Sequence, residues 1–240
     1  MPAGMQILVV DARSQDATAA IARERGARVV VRPWEGFRKG REFALTHVLT
    51  PWTLMLDADE ALDSELRGAI ESADSAAADG YYLSRTTYYC GKPLRMWSGE
   101  RLLRLFKTDR AALHTAPAGG GDADLHEFWT CSGSTGALPG TLLHFSYSTH
   151  DAYRKKFARY TSIEAAGVRA SFTGALRQAI LVPARFARYA FARGAALDGI
   201  AGLRVAWFSA LYPAVVQWKA LRRFDSTPPF DSSGPFDTSG

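Results

Sequence analysis

A chain of 240 residues can bury one good hydrophobic core or two modest ones, and its apolar and aromatic content excludes a disordered or fibrous protein. The formal charge of +5 is unevenly placed. Acids lie mostly in the first two thirds, whereas arginine and lysine dominate from Arg154 to Arg223, which points to a negatively charged partner for that part.

Met5 to Val10 is a strand ending at Asp11. Ser14 or Asp16 caps a helix over 17–25, and Gly26 stops it. Ala27 to Val31 is the next strand, closed by Pro33. Gly36 to Val48 forms a second helix. Thr53 to Leu56 is a short apolar strand that runs into Asp57, Asp59 and Glu60. Strand, helix, strand, helix, strand at this spacing predicts parallel units, with Asp11 and Asp57 at strand ends on one edge of one sheet. Ionised carboxylates are costly inside a sheet, so these acids belong at its mouth, where open α/β sheets bind ligands. Two acids spaced i, i+2 can share one hard cation such as Mg²⁺ or Mn²⁺, or divide a cation and a sugar hydroxyl between them.

Ser64 caps a helix over 65–72. Gly80–Tyr89 and Arg101–Lys107 are strands flanking a turn at Cys90–Pro93, and they make the sheet mixed. Thr115–Ala123 is a Gly- and Ala-rich loop, and Gly140–Tyr147 is a further strand. From Asp151 the chain becomes helical, basic and aromatic, with helices over 151–170, 175–193 and 200–218. The last is near the lower length for a membrane span and contains Pro213, so it is read as buried or lying in the interface. Arginines beside Trp and Tyr suit a membrane surface; an ordinary helical domain with a solvated basic face is the alternative. These arginines interleave with aliphatic runs, which disfavours nucleic acid. The Pro-Phe-Asp-rich segment 224–240 is expected to be disordered. Cys90 and Cys131 form neither a zinc motif nor a disulfide framework, and a reducing compartment follows. No signal peptide is recognisable.

Several stretches now line up. Val9-Val10-Asp11-x-x-Ser14-x-Asp16-x-Thr18, Pro33-Trp34-x-Gly36-Phe37, Arg41-x-Phe43-Ala44-Leu45 and Leu56-Asp57-Ala58-Asp59-Glu60 resemble, in order, motifs of family 2 glycosyltransferases with the GT-A fold. Trp97-x-x-Glu100-x-x-x-Arg104-Leu105-Phe106, His126-Glu127, Leu143-His144-Phe145-Ser146-Tyr147 and Arg159-Tyr160-Thr161 continue the series. The set is similar to the branch containing lipopolysaccharide core glucosyltransferases. The resemblance implies an α/β, GT-A-like (Rossmann-like) mixed sheet over residues 1–149, a basic helical acceptor- or membrane-associating region over 150–223, and the tail 224–240.

It also implies an inverting transfer from a UDP-linked sugar nucleotide to a lipid-linked or lipopolysaccharide-core saccharide, assisted by a divalent cation, Mg²⁺ or Mn²⁺. By the family pattern Asp11 contacts the nucleoside, Asp57 the ribose or the metal, and Asp59 the metal. Glu127 takes the acceptor's proton, with His126 orienting it. Arg41 and Arg104 are candidates for the diphosphate, and the alternative for either is a pair with a nearby acid. His144 is either a further metal or phosphate ligand or a hydrogen-bonded core histidine. The implied location is cytoplasmic, peripheral at the inner face of the cytoplasmic membrane. Three departures stand out: the family's first strand and helix have no counterpart before Met5, so the 1–149 unit reads as N-terminally truncated; Arg13 and Gln15 replace Gly and Thr; and Glu42 replaces Asn. They leave a second reading, a weakly active or non-catalytic membrane-associated partner of the same fold.

Overall fold

The computed structural model describes residues 5–73, 76–115, 127–169 and 171–222. The expectations for the glycine-rich loop, for His126 and for the 224–240 tail lie outside the described residues.

β1 (Leu8–Asp11), α1 (Thr18–Glu24) and β2 (Arg28–Val31) form the expected parallel unit, in register from Leu8 opposite Arg28 to Asp11 opposite Val31. Ser14 does not cap α1. Its hydroxyl is drawn to Asp11, and the Asp16 carboxylate instead accepts from the Thr18 N–H at 2.9 Å. After α2 (Phe37–Thr46) the parallel pattern stops, which corrects the expectation of one continuous sheet edge. β3 (Trp52–Leu54) pairs antiparallel with β6 (Lys92–Lys107), and β1–β2 remain a two-stranded sheet. The reason is long-range. Periodicity defines a strand but not its partner, and the ladder that β3 joins is supplied by residues about fifty positions later.

The main sheet has the order β3-β6-β5-β9-β4, with β4 (Glu60–Leu62), β5 (Gly80–Tyr89) and β9 (Thr135–Tyr147). β5 and β6 are a hairpin turned at Cys90 and Gly91, whose φ values of 50° and 75° are the left-handed pair that a two-residue hairpin requires. β9 runs parallel to β5 and antiparallel to β4, so the sheet is mixed, as expected. β7 (Ala111–Thr115) and β8 (Glu127–Cys131) form a separate antiparallel ribbon. α3 (Ser64–Glu71) packs Leu66 against Leu83 and Leu142. Its cap is Asp63, not Ser64, accepting from the Leu66 N–H at 2.7 Å. Gly140 lies beneath it at φ 89°, and a Cβ there would meet the Leu66 nitrogen at 2.2 Å.

Thr149 caps α4 (His150–Gly167) through its hydroxyl. The expected helix over 175–193 is broken into α5 (Phe172–Ile180), α6 (Val182–Ala187) and a π turn over Arg188–Ala192. Pro183 sits in the first turn of α6, where its missing N–H costs nothing, and so restarts the helix rather than continuing it. α7 (Gly199–Arg222) runs longer than expected, through Pro213. Tyr153, Ala195, Val205 and Ala206 of the helical region share a core with Tyr89, Leu94 and Met96 of the β5–β6 hairpin.

Candidate active site

The acid segment begins three residues beyond β3 and ends inside β4, a strand that the sequence pattern did not reveal. It therefore carries the chain from one edge of the sheet to the other. The turn is locked reciprocally: the Glu60 N–H donates to the Asp57 carbonyl and the Asp57 N–H to Glu60 Oε2, both at 3.0 Å. Because Glu60 on one edge reaches Arg104 on β6, the sheet must curl over this turn.

A chain of ion pairs crosses the curl. Glu127 Oε2 accepts from Arg41 at 2.5 Å, and Arg41 donates to Asp57 Oδ1 at 2.7 Å. Arg104 donates to Asp57 Oδ2 at 2.8 Å and to Glu60 Oε1 at 2.9 Å. Arg85 lies 3.6 Å from Glu60 and pairs with Glu100 at the rim. The side chains of Glu60, Glu127 and Arg104 are buried, so their charges require this pairing. Burial pushes the Asp57 carboxyl upward, but the guanidiniums of Arg104 and Arg41 outweigh it and hold the group well below the ordinary carboxylate range. Burial would lower Arg41, and its two acids outweigh that in turn.

Asp59 turns the other way. Its Oδ2 is 3.3 Å from His144 Nε2, and its side chain keeps about a third of its surface open. Burial raises its carboxyl, while the bond to His144, then the charges of His144 and Lys156, bring the net shift below normal. His144 is further held by Ser146 Oγ at 2.7 Å and Thr87 Oγ1 at 3.2 Å. Lys156, on α4, rests over the rings of Tyr147 and Tyr160, with centroids at 5.0 and 5.7 Å. Burial lowers its ammonium pKa, and the charges of Asp59 and Asp57 partly restore it.

Of the residues singled out in the sequence, the structure joins Arg41, Asp57, Arg104 and Glu127 in one network, and Asp59 with His144 beside it. Asp11 is buried at the end of β1, where its carboxylate accepts from the Ser14 backbone and hydroxyl; among the described residues no ion pair ties it to the network. Among those residues, too, no group of three or more Asp, Glu, His and Cys side chains is arranged to hold a metal. Asp57 is committed to two arginines, whereas the Asp59 carboxylate stays partly exposed.

Arg85 and Lys156 were not singled out in the sequence, and Glu60 only as part of the acidic turn. Arg85 carried a weak signal, a lone charge inside an aromatic strand. Lys156 carried none, because Arg154, Lys155 and Arg159 are its equals in sequence.

The family model described as "Glycosyl transferase family 2" matches residues 3–123. An uncharacterised glycosyltransferase of Rickettsia typhi is 37% identical over 101 residues, 42% of this chain and 33% of that protein. The lipopolysaccharide core biosynthesis glycosyltransferase LpsC of Rhizobium meliloti is 28% identical over 235 residues, 91% of this chain and 83% of that one. The chain thus spans about a third of the first of these relatives and most of the second. Among solved structures, S. aureus TarS 1–349 superposes with a TM-score of 0.36 and 16% identity, covering 92% of this chain and 73% of that one. The motif series along the sequence, the mixed curled sheet and the family match agree: the chain belongs to glycosyl transferase family 2.

Proposed function

We propose that this protein moves a sugar from a UDP-linked donor to a lipid-linked or lipopolysaccharide-core saccharide, with inversion. The observation that supports it most is the juxtaposition of an open Asp59–His144 pair with a buried Glu127, both beside the Asp57 carboxylate that Arg41 and Arg104 clamp. The similarity to LpsC favours a core-saccharide acceptor.

In such a transfer the acceptor oxygen bonds to the anomeric carbon as the bond from that carbon to the phosphate oxygen breaks. The electron pair leaves with the nucleoside diphosphate, and the hydroxyl proton passes to Glu127. Arg41 positions Glu127 against the turn, because the same guanidinium holds Asp57. Asp59 and His144 are the residues that would hold a divalent cation: Ser146 and Thr87 orient His144, and His144 in turn orients Asp59. Such a cation would supply Lewis-acid stabilisation of the charge on the leaving group.

Titrating UDP-sugars into the protein with and without Mg²⁺ or Mn²⁺ tests this reading. Binding is expected to require the cation, and Asp59→Asn is expected to weaken cation-supported binding about tenfold or more. Cation-independent binding, or no binding to any UDP-sugar, overturns it.

Lys156 adds a fixed positive charge on the same side as Asp59, held in place by two aromatic rings and suited to the diphosphate. Lys156→Met is expected to lower kcat about 10²–10³-fold. Lys156→Arg should restore part of it, which a packing role alone would not require. Equal losses in both variants, with the fold intact, would remove this role.

A further inference from the structure

The last helix, with the turn before it (195–222), is long and apolar enough to cross a bilayer, yet its packing is that of a helix with one face inside the protein. Gly202, Val205, Ala206, Ala210, Val216 and Ala220 are buried. Gly202 is pressed so closely on the preceding turn that a Cβ would lie 2.0 Å from the Ala195 carbonyl oxygen. The outer face is also apolar: Ile200, Leu203 and Trp207, at i, i+3 and i+7, all point to solvent. Arg204 stands exposed within that stripe. α5, packed on α7 with Gly174 against Gln217, shows a second such stripe in Phe172, Leu176 and Ile180, at i, i+4 and i+8. Phe172 and Ile200 are each 71% exposed. α6 closes the gap through an edge-on contact of Phe186 with Trp207, ring centroids 5.7 Å apart.

Charge selects the occupant. Residues 171–222 carry seven arginines and lysines and a single acid, Asp198, and that acid is largely buried against Arg95. A solvent-facing apolar stripe is unusual on a soluble surface, and the exposed Arg177, Arg188, Arg193 and Arg204 of the same segment complement anionic headgroups. We propose that α5 and the first half of α7 lie flat in the headgroup region of an anionic phospholipid bilayer, apolar stripes inward and arginines at phosphate level. Spanning is disfavoured because one face of α7 is already inside the fold and Arg204 would sit within hydrocarbon. An arginine at that point in an interfacial helix can extend its head to the phosphates while its stem stays apolar.

This inference stands apart from the catalytic reading, because its readout is sedimentation rather than transfer. The whole chain is mixed with vesicles of phosphatidylglycerol and phosphatidylethanolamine, and separately with phosphatidylcholine vesicles. Partition to the anionic vesicles is expected, weaker at high salt, and the double variant Phe172→Ser/Ile200→Ser should reduce it about tenfold to a hundredfold. Both side chains are exposed, so circular dichroism of the variant should match the parent. Three results overturn the proposal. One is equal partition of parent and variant. Another is protein retained in the membrane at alkaline pH, as a spanning helix would be. The third is concentration-dependent self-association in the absence of lipid that the same double variant abolishes, which would assign the face to a second copy.

Discussion

Glu127→Gln is expected to leave binding of the nucleotide-sugar within a few-fold of the parent and to slow transfer by about 10²–10⁴-fold, the range that a positioned proton acceptor contributes. The substitution keeps the shape of a buried side chain and keeps an oxygen that Arg41 can reach, so the Arg41–Asp57 contact is retained. The proton-accepting charge is lost, and Arg41 keeps Asp57 as its charged partner. Single-turnover transfer with preloaded donor, beside a binding titration, separates the two quantities. A variant that binds and transfers normally would hand the proton to another residue. A variant that fails to bind would make Glu127 part of the scaffold, since its guanidinium partner also holds the acidic turn.

Arg104→Met is expected to cost about 3–5 kcal/mol of stability, because it strips a buried cation from two carboxylates at once. Glu60 would keep only Arg85 at 3.6 Å, and Asp57 only Arg41. Urea unfolding measures the loss. The double variant Arg104→Met/Glu60→Gln should recover a good part of it, because a neutral amide is far cheaper to bury than an unpaired charge. The pH dependence has a definite sign. Asp57 is held below its unfolded value, so its contribution is fully present above the ordinary carboxylate range and is lost as pH falls through that range towards the folded value. The gap between parent and Arg104→Met should therefore stay level near neutrality and narrow below about pH 4. A gap that widens in acid would mean the clamp does not act on ionised Asp57.

The two results bear on different levels of the molecule, and the sequence was unequally informative about them. Glu127, Arg41, Asp57 and Arg104 all stand in the motif series of the sequence. That they form one continuous chain of ion pairs was not, because Arg41 and Glu127 are 86 positions apart and no periodicity links them. The mixed sheet was legible from the β-rich run at Gly80–Tyr89 and the strand at Arg101–Lys107. Its order was not: β3 was expected beside the N-terminal strands and pairs instead with β6. β4 was missed because three residues, one of them a buried glutamate, carry no strand period.

By itself the sequence determined most of the local elements, the two acidic positions Asp57 and Asp59, the family, and a basic, apolar C-terminal third, since these follow from residue type and short-range spacing. The tertiary structure alone decided that Asp57 serves two arginines while Asp59 pairs with His144 and stays partly exposed. It also picked Lys156 from four neighbouring cations and set which face of α7 looks outward. Those outcomes depend on which strand edges pair and which charges meet after burial, and both are fixed by contacts between residues far apart in the chain.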